Sequence, residues 1–242
     1  MRSPWSAVHG AGEGALLLEF GSSLDPKLTQ AIHATAHAVR KAAINGVWGV
    51  VPAYTTLLVE FDPLVATSQA VLDSLRGIEV TIHEESCRDF VIPSLYGGEY
   101  GVDLEDVARA IGLAPKDVVA MHTAERYQIY CIGFSPGFPL CGVLPERIRI
   151  PRHPSPRTVV PAGSVAIAGA QTGIYPTASP GGWNLLGRTP AELFHLDRDP
   201  PVVYHPGDFV QFRSIERSEY DELAHAVREG IDVIGVASHA AD

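Results

Sequence analysis

The chain has 242 residues, 46% of them hydrophobic and 19% charged, with a formal net charge of −10. That length suits one large domain or two small ones, and that apolar content argues against a disordered chain. The acidic balance argues against nucleic acid as the main partner. No apolar run approaches the roughly 18–20 residues of a bilayer-spanning helix.

The N-terminus, MRSPWSAVHG, lacks the apolar stretch of a signal peptide, so the expected location is cytoplasmic. Three cysteines, Cys87, Cys131 and Cys141, are an odd set without C-x-x-C spacing. They fit neither a disulfide framework nor a zinc site.

Residues 1–86 alternate strand and helix patterns. Leu16, Leu18 and Phe20 alternate as a strand, and Asp25-Pro26 opens a helix whose buried face is Leu28, Ile32, Thr35 and Val39. Asn45-Gly46 is its expected end. Val47–Val51 and Thr55–Phe61 read as two strands. Asp62-Pro63 predicts a second helix with Leu64, Val71, Leu72 and Leu75 buried and Gly77 as its stop. Ile78, Val80 and Ile82 alternate as a last strand. The predicted order, β-α-β-β-α-β, is the ferredoxin-like split arrangement.

Residues 87–242 read differently. Helices are predicted over Leu104–Ile111, after Asp103, and from Pro115 to about His122. Short strands follow at Tyr127–Ile132, Ser164–Ala168, Glu192–His195, Val202–Tyr204 and Phe209–Phe212. Many short strands at close spacing predict a closed barrel or sandwich. Glu216–Val227 reads as a helix, and the final VASHAAD as a frayed end.

The segment Cys131–Pro190 stands apart. Nineteen of its 60 residues are Gly or Pro, yet apolar and aromatic residues are interleaved throughout, so it can build a core. It holds five arginines and a single acid, Glu146, in an acidic chain. Rigid turns bearing arginine suggest a shaped pocket for an anion. Arg157 offers a bidentate fork, Gln171 a donor and an acceptor, and Tyr175 and Trp183 apolar walls with one polar tip each. Upstream, Glu99 and His122 are candidates for acid–base work.

Three tempting motifs fail on chemistry. Gly133-Phe134-Ser135-Pro136-Gly137 matches the G-x-S-x-G elbow of serine hydrolases, but the residue after Ser must supply an oxyanion N–H and Pro136 has none. His33 and His37 have zinc-ligand spacing but lack the metalloprotease Glu. Gly10, Gly12 and Gly14 precede a strand where a dinucleotide loop needs a helix, and no lysine lies in a Gly-rich loop, so no P-loop is present.

Further motifs carry a resemblance: YGGEYG at 96–101, GFSPGFP at 133–139, PRTVVPAGSVAIAG at 156–169, QTGIYP at 171–176, SPGGW at 179–183 and GRTP at 187–190, with VPAYTTLLVEFDP at 51–63. From about residue 8 to 213 the sequence resembles the family of the 5-oxoprolinase B-type subunit, which also takes in Kip-type kinase inhibitors and allophanate hydrolase subunit 1. The resemblance implies an α+β chain: a small α/β domain over 1–86, the ferredoxin-like one, and a cyclophilin-like β-barrel domain over 87–242. It implies a homologous C-type subunit and a LamB/YcsF-type A subunit as partners, and ATP-dependent opening of 5-oxoproline to L-glutamate, with the chain inactive alone.

The ATP site is expected on, or shared with, a partner, with no tightly bound cofactor and no metal. On this reading Arg157 supplies charge, Gln171 and Tyr175 orient the substrate carboxylate, Trp183 forms a wall, and Glu99 and His122 serve as acid–base groups. The wider family implies two alternatives: inhibition of a sensor histidine kinase, and half of a biotin-dependent, urea-type carboxyltransferase. One departure is visible. The family pattern PGFPYLGGL reads PGFPLCGVL here, placing Leu140 and Cys141 where an aromatic and an aliphatic residue are usual. Cys141 reads as a small core residue rather than a nucleophile.

Overall fold

The computed structural model describes residues 4–23, 25–81 and 87–237, and the chain divides into two units, 1–86 and 87–242. In the first unit, β1 (Ala7–Gly10) and β2 (Ala15–Glu19) form a hairpin. Helix α1 (Pro26–Ala42), strands β3 (Val47–Pro52) and β4 (Thr56–Phe61), and helix α2 (Ser68–Arg76) follow. The sheet order is β1-β2-β4-β3, antiparallel throughout. Strand β4 lies between β2 and β3, so α1 is the crossover of a split β-α-β unit. The alternation of Leu16, Leu18, Leu57, Val59 and Phe61 turns one sheet face onto Ile32, Ala36 and Val39 of α1 and Val71 and Leu75 of α2. Asp25 caps α1 by accepting the Lys27 N–H at 2.9 Å.

Three expectations for this unit are corrected. The edge beside β2 is occupied by β1, not by a strand over 78–82. A strand adjacent in sequence closes the shortest loop, whereas one from beyond α2 must close a long one. Residues 78–81 are not in a strand, Ile78 packs on the core, and Ile82 lies outside the described residues. The second helix starts at Ser68, not at Asp62-Pro63. The Asp62 carboxylate accepts the Leu64 N–H in a local turn, leaving Leu64 94% exposed, and Thr67 caps the helix by accepting the Ala70 N–H. Helix α1 ends at Ala42 because Ala43 takes a left-handed φ of 45°, ahead of Asn45-Gly46.

The second unit comprises β5 (Asp89–Tyr96), α3 (Leu104–Ile111), α4 (Pro115–Thr123), β6 (Arg126–Ile132), β7 (Pro139–Gly142), β8 (Arg157–Val160), β9 (Ser164–Ala168) and β10 (Gln171–Ile174). β11 (Ser179–Gly181), β12 (Asn184–Arg188), β13 (Phe209–Ser214), α5 (Arg217–Arg228) and β14 (Gly235–Ala237) complete it. Among the described residues, seven strands close a barrel in the order β12-β9-β10-β7-β6-β13-β5, with β5 pairing back to β12. Strand β14 pairs with Asp89–Val91 of β5, while β12 pairs with the other end of β5, at Leu95 and Tyr96. The barrel thus closes only at that end, and Val236 and Ala237 are strand rather than frayed tail.

The interior is packed with Phe90, Ile92, Tyr127, Ile129, Cys141, Val165, Ile167, Ile174, Leu186, Val210 and Phe212, together with Leu104, Val107 and Val118 from α3 and α4. Among the described residues no helix is long and apolar enough to cross a membrane.

Glu192–His195 and Val202–Tyr204 are not strands. Pro200, Pro201 and Pro206 around them have no N–H to give a ladder. Leu193 and Tyr204 are buried nonetheless, and the Tyr204 hydroxyl donates to the Gly137 carbonyl.

The turn between β5 and α3, Gly97–Gly101, lies directly on β12. The Gly97 N–H donates to Leu186 O and the Asp103 N–H to Leu185 O, and a methyl group added at Gly101 would stand 1.8 Å from Leu186 O. Gly101→Ala is expected to lower stability by about 3 kcal/mol, because the obstacle is backbone that cannot swing aside. Gly98→Ala has open space and only its left-handed φ of 53° to oppose it, so about 1 kcal/mol is expected. Urea unfolding of both variants tests this; equal losses would show that close packing at Gly101 does not matter.

Candidate functional site

Asp103 stands immediately before α3, but its side chain makes no cap hydrogen bond there. Its carboxylate turns to the barrel wall and is 5% exposed. Oδ1 accepts from Arg157 Nη2 at 2.5 Å, and Oδ2 accepts the Leu185 N–H at 2.7 Å and lies 3.4 Å from His153 Nε2. Arg157 Nη1 also reaches the Trp183 carbonyl at 3.5 Å. The predicted ligand clamp is therefore already neutralised by a buried carboxylate 54 positions away. Asp103 and His153 were missed by sequence reasoning. The only local signal for Asp103 is an acid two residues beyond the tightly packed Gly101.

Period-two alternation sorts the barrel wall into two faces. Thr172 and Ile174 of β10 point inward. Gln171 and Gly173 point outward, in register with Ala168 and Ala166 of β9 and with Gly142 and Leu140 of β7. On this outer face Phe138, Tyr175, Trp183, Val160 and Leu185 form a second cluster, with Leu140 packed against it. The Phe138 ring centroid lies 5.0 Å from that of Tyr175 and 5.6 Å from that of Trp183, both edge-on.

Two glycines make room for the rings. A methyl group at Gly173 would meet the Phe138 ring at 2.7 Å, and one at Gly181 the Tyr175 hydroxyl at 2.2 Å. The Tyr175 hydroxyl accepts the Trp183 N–H. Burial raises its pKa, against which the positive charges of Arg152 and Arg157 act.

The GFSPG turn borders this face. Phe134, at a left-handed φ of 66°, is 69% exposed and meets Tyr175 edge-on at 6.2 Å. Strand β7 follows directly, with no helix after the serine. The Ser135 and Ser179 hydroxyl oxygens are buried with no hydrogen-bond partner among the described residues. Such groups are expensive to leave unpaired. Four expected residues, Arg157, Gln171, Tyr175 and Trp183, therefore come from elements of one outer face.

The two expected acid–base groups do not join them. His122 is fully buried inside the barrel, with ring centroids of Phe212 and Tyr127 at 4.5 and 5.4 Å. Thr172 Oγ1 gives its proton to the Ala166 carbonyl at 3.1 Å and so accepts from His122 Nε2 at 2.8 Å. The Tyr96 hydroxyl therefore donates to Nδ1, also at 2.8 Å. Both ring nitrogens are engaged, and burial lowers the imidazole pKa to about 3. Glu99 lies on the opposite kind of ground, 71% exposed on its side chain and paired with Arg217 Nη1 at 2.9 Å. Cys141 faces the core, where burial pushes its thiol well up, so it is no nucleophile.

Since His122 binds a proton more weakly in the folded state, its contribution is fully present above about pH 6.5 and is lost as pH falls toward 3. Stability is expected to drop by about 1.4 kcal/mol per pH unit within that window. His122→Gln should lack this slope, and parallel pH–stability curves for the two proteins would contradict it. Asp103→Ala, which strands Arg157 and the Leu185 N–H, is expected to cost about 3–5 kcal/mol in urea unfolding. A loss below about 1 kcal/mol would show the pair to be energetically idle.

The comparisons with known proteins agree with this architecture. Residues 6–204 match the family model described as carboxyltransferase domain, subdomain C and D. The chain is 38% identical over 236 residues to the B-type subunit of 5-oxoprolinase from Bacillus subtilis (strain 168), covering 92% of this chain and 96% of the relative. Among solved structures, TTHA0988 superposes with a TM-score of 0.76 at 39% identity over 84% of this chain, which spans only 40% of that longer protein. The urea amidolyase of K. lactis superposes with a TM-score of 0.77 over 97% of this chain and 16% of its own length; at 21% identity this is a likeness of fold alone. With a family model over most of its length and a relative matched nearly end to end, the chain belongs to the family of 5-oxoprolinase B-type subunits, built on carboxyltransferase subdomains C and D.

Proposed function

We propose that the chain is the B-type subunit of an ATP-dependent 5-oxoprolinase, which opens 5-oxoproline to L-glutamate with a homologous C-type subunit and a LamB/YcsF-type A subunit. The carrying observation is the near end-to-end match to a relative named as that component. The outer barrel face is this chain's share of the site. Trp183 and Tyr175 wall it, the Tyr175 hydroxyl and Gln171 orient the ligand, and Arg157, fixed by Asp103, sets the shape of the wall.

The face binds and orients. Proton transfer for lactam opening is assigned to a partner, because His122 is neutral and enclosed and Glu99 is paired with Arg217. ATP is likewise assigned to a partner or to a shared site, since the chain's three lysines, Lys27, Lys41 and Lys116, lie outside any Gly-rich loop. A free subunit holding half a site is therefore inactive.

The test is glutamate formation from 5-oxoproline by the purified chain alone, by the partner subunits without it, and by all subunits together, each with and without ATP. Turnover is expected only from the full set with ATP. Turnover undiminished when this chain is omitted would refute the assignment, as would a full set that acts only on another cyclic amide or a urea derivative.

A further inference from the structure

Of the five arginines in the Gly/Pro-rich segment, three are engaged. Arg149 Nε donates to Leu144 O at 2.9 Å, Arg157 is paired with Asp103, and the Arg188 guanidinium lies 5.3 Å over the Tyr100 ring. Arg147, on the short 3-10 turn Glu146–Ile148, and Arg152 are both exposed, and among the described residues neither side chain has a carboxylate or hydrogen-bond partner. Arg152 is set apart by its place, since its charge bears on the Tyr175 hydroxyl.

The backbone around Arg152, by contrast, is stitched down on both sides. Ile150 accepts the Gly169 N–H at 2.7 Å, Pro151 accepts from Asn184 Nδ2 at 3.0 Å, and the His153 N–H donates to Gly182 O at 2.7 Å. Gly169 is two residues from Gln171, and Gly182 and Asn184 flank Trp183. The Arg152 charge also acts on the Tyr175 hydroxyl. The fixed backbone places an open guanidinium at the border of the face that holds Gln171, Tyr175 and Trp183, where its fork can meet a planar oxyanion.

We propose that Arg152, not Arg157, receives the carboxylate of the ligand at this face, as a two-pronged donor, and that Arg157 is a positioning residue locked beneath Trp183 by Asp103. This deepens, and rests on, the 5-oxoprolinase reading. In 5-oxoproline the carboxylate is the one full charge, so a single free arginine beside an otherwise apolar and neutral polar face matches it. The role is binding only, and no bond is made or broken at Arg152.

The decisive measurement uses the reconstituted complex and two substrates: 5-oxoproline and its neutral carboxamide, which keeps the lactam and loses the charge. Arg152→Ala should lower kcat/KM for 5-oxoproline by about 10–100-fold, mostly through KM, and change the value for the carboxamide by less than about twofold. Arg152→Lys should restore part of the loss, since charge returns without the fork. Equal losses on both substrates would make Arg152 merely structural, and no loss on either would make it idle; both results overturn the inference and leave the subunit assignment standing. A wild-type complex that does not convert 5-oxoproline overturns the assignment, and the inference with it.

Discussion

The buried pair between Asp103 and Arg157 ties the second unit together. One carboxylate, 5% exposed, accepts from the guanidinium of β8 and from the N–H of Leu185 in β12, and lies 3.4 Å from His153 Nε2. A carboxylate so deeply desolvated is tolerable only when its oxygens are well supplied with donors, and here they are. The consequence is geometric. The start of α3, the β8–β11 ribbon and the start of β12 are pinned to one point, and Trp183, whose carbonyl Arg157 also touches, is pinned with them. The turn that delivers Asp103 to this point can lie so close only because residue 101 is glycine.

That anchor lets the outer wall of a barrel carry rings. Strands β9 and β10 show Ala166, Ala168 and Gly173 outward, small residues on which Phe138, Tyr175 and Trp183 lie edge to face. The inner face of the same strands carries Val165, Ile167 and Ile174 into the main core. A wall packed on both sides leaves little freedom for rotation of its rings, so the polar tips of Tyr175 and Gln171 stand in fixed places. Preorganisation of this kind lowers the entropic cost of binding. It also explains the glycines and prolines of the segment. They are close approaches and turns under rings, not a flexible linker.

Much of the fold was legible, and the failures have a common cause. Periodicity, or a short apolar run bounded by turn residues, revealed β2, α1, β3, β4, α3, α4, β6, β9, β13 and α5. Strands β5, β7, β10, β11, β12 and β14 did not read as strands, because they contain Pro93, Pro139, Gly173, Pro180 or Gly187, or are too short for a period to show. Closure depends on β12 and β13 meeting β5, pairings between residues some 90–120 positions apart, which no local pattern encodes. The candidate site divides the same way. Gln171, Tyr175 and Trp183 share a face by alternation and register, which a sequence can suggest. The partners that decide what an ionisable group does are distant: Asp103 is 54 positions from Arg157, and Thr172 is 50 from His122. Hence the two residues whose chemistry looked most assertive, Arg157 and His122, are the two whose chemistry is most fully used within the fold.

The departure at residues 140 and 141 can be resolved on the same grounds. Adjacent residues of β7 point to opposite faces, so Cys141 fills the core while Leu140 packs against the aromatic cluster beside Gly173. Substitution at 141 is therefore a matter of core volume. Substitution at 140 alters the face itself. Where the resembling family carries an aromatic residue, this chain presents an apolar side chain with no hydrogen-bonding group. The polar groups beside it are Gln171 and the Tyr175 hydroxyl, and the exposed guanidinium whose charge bears on that hydroxyl is that of Arg152. On the proposed reading, the apolar character of Leu140 leaves recognition to the opposite border, where the backbone stitched to Gly169 and Gly182 carries the open guanidinium.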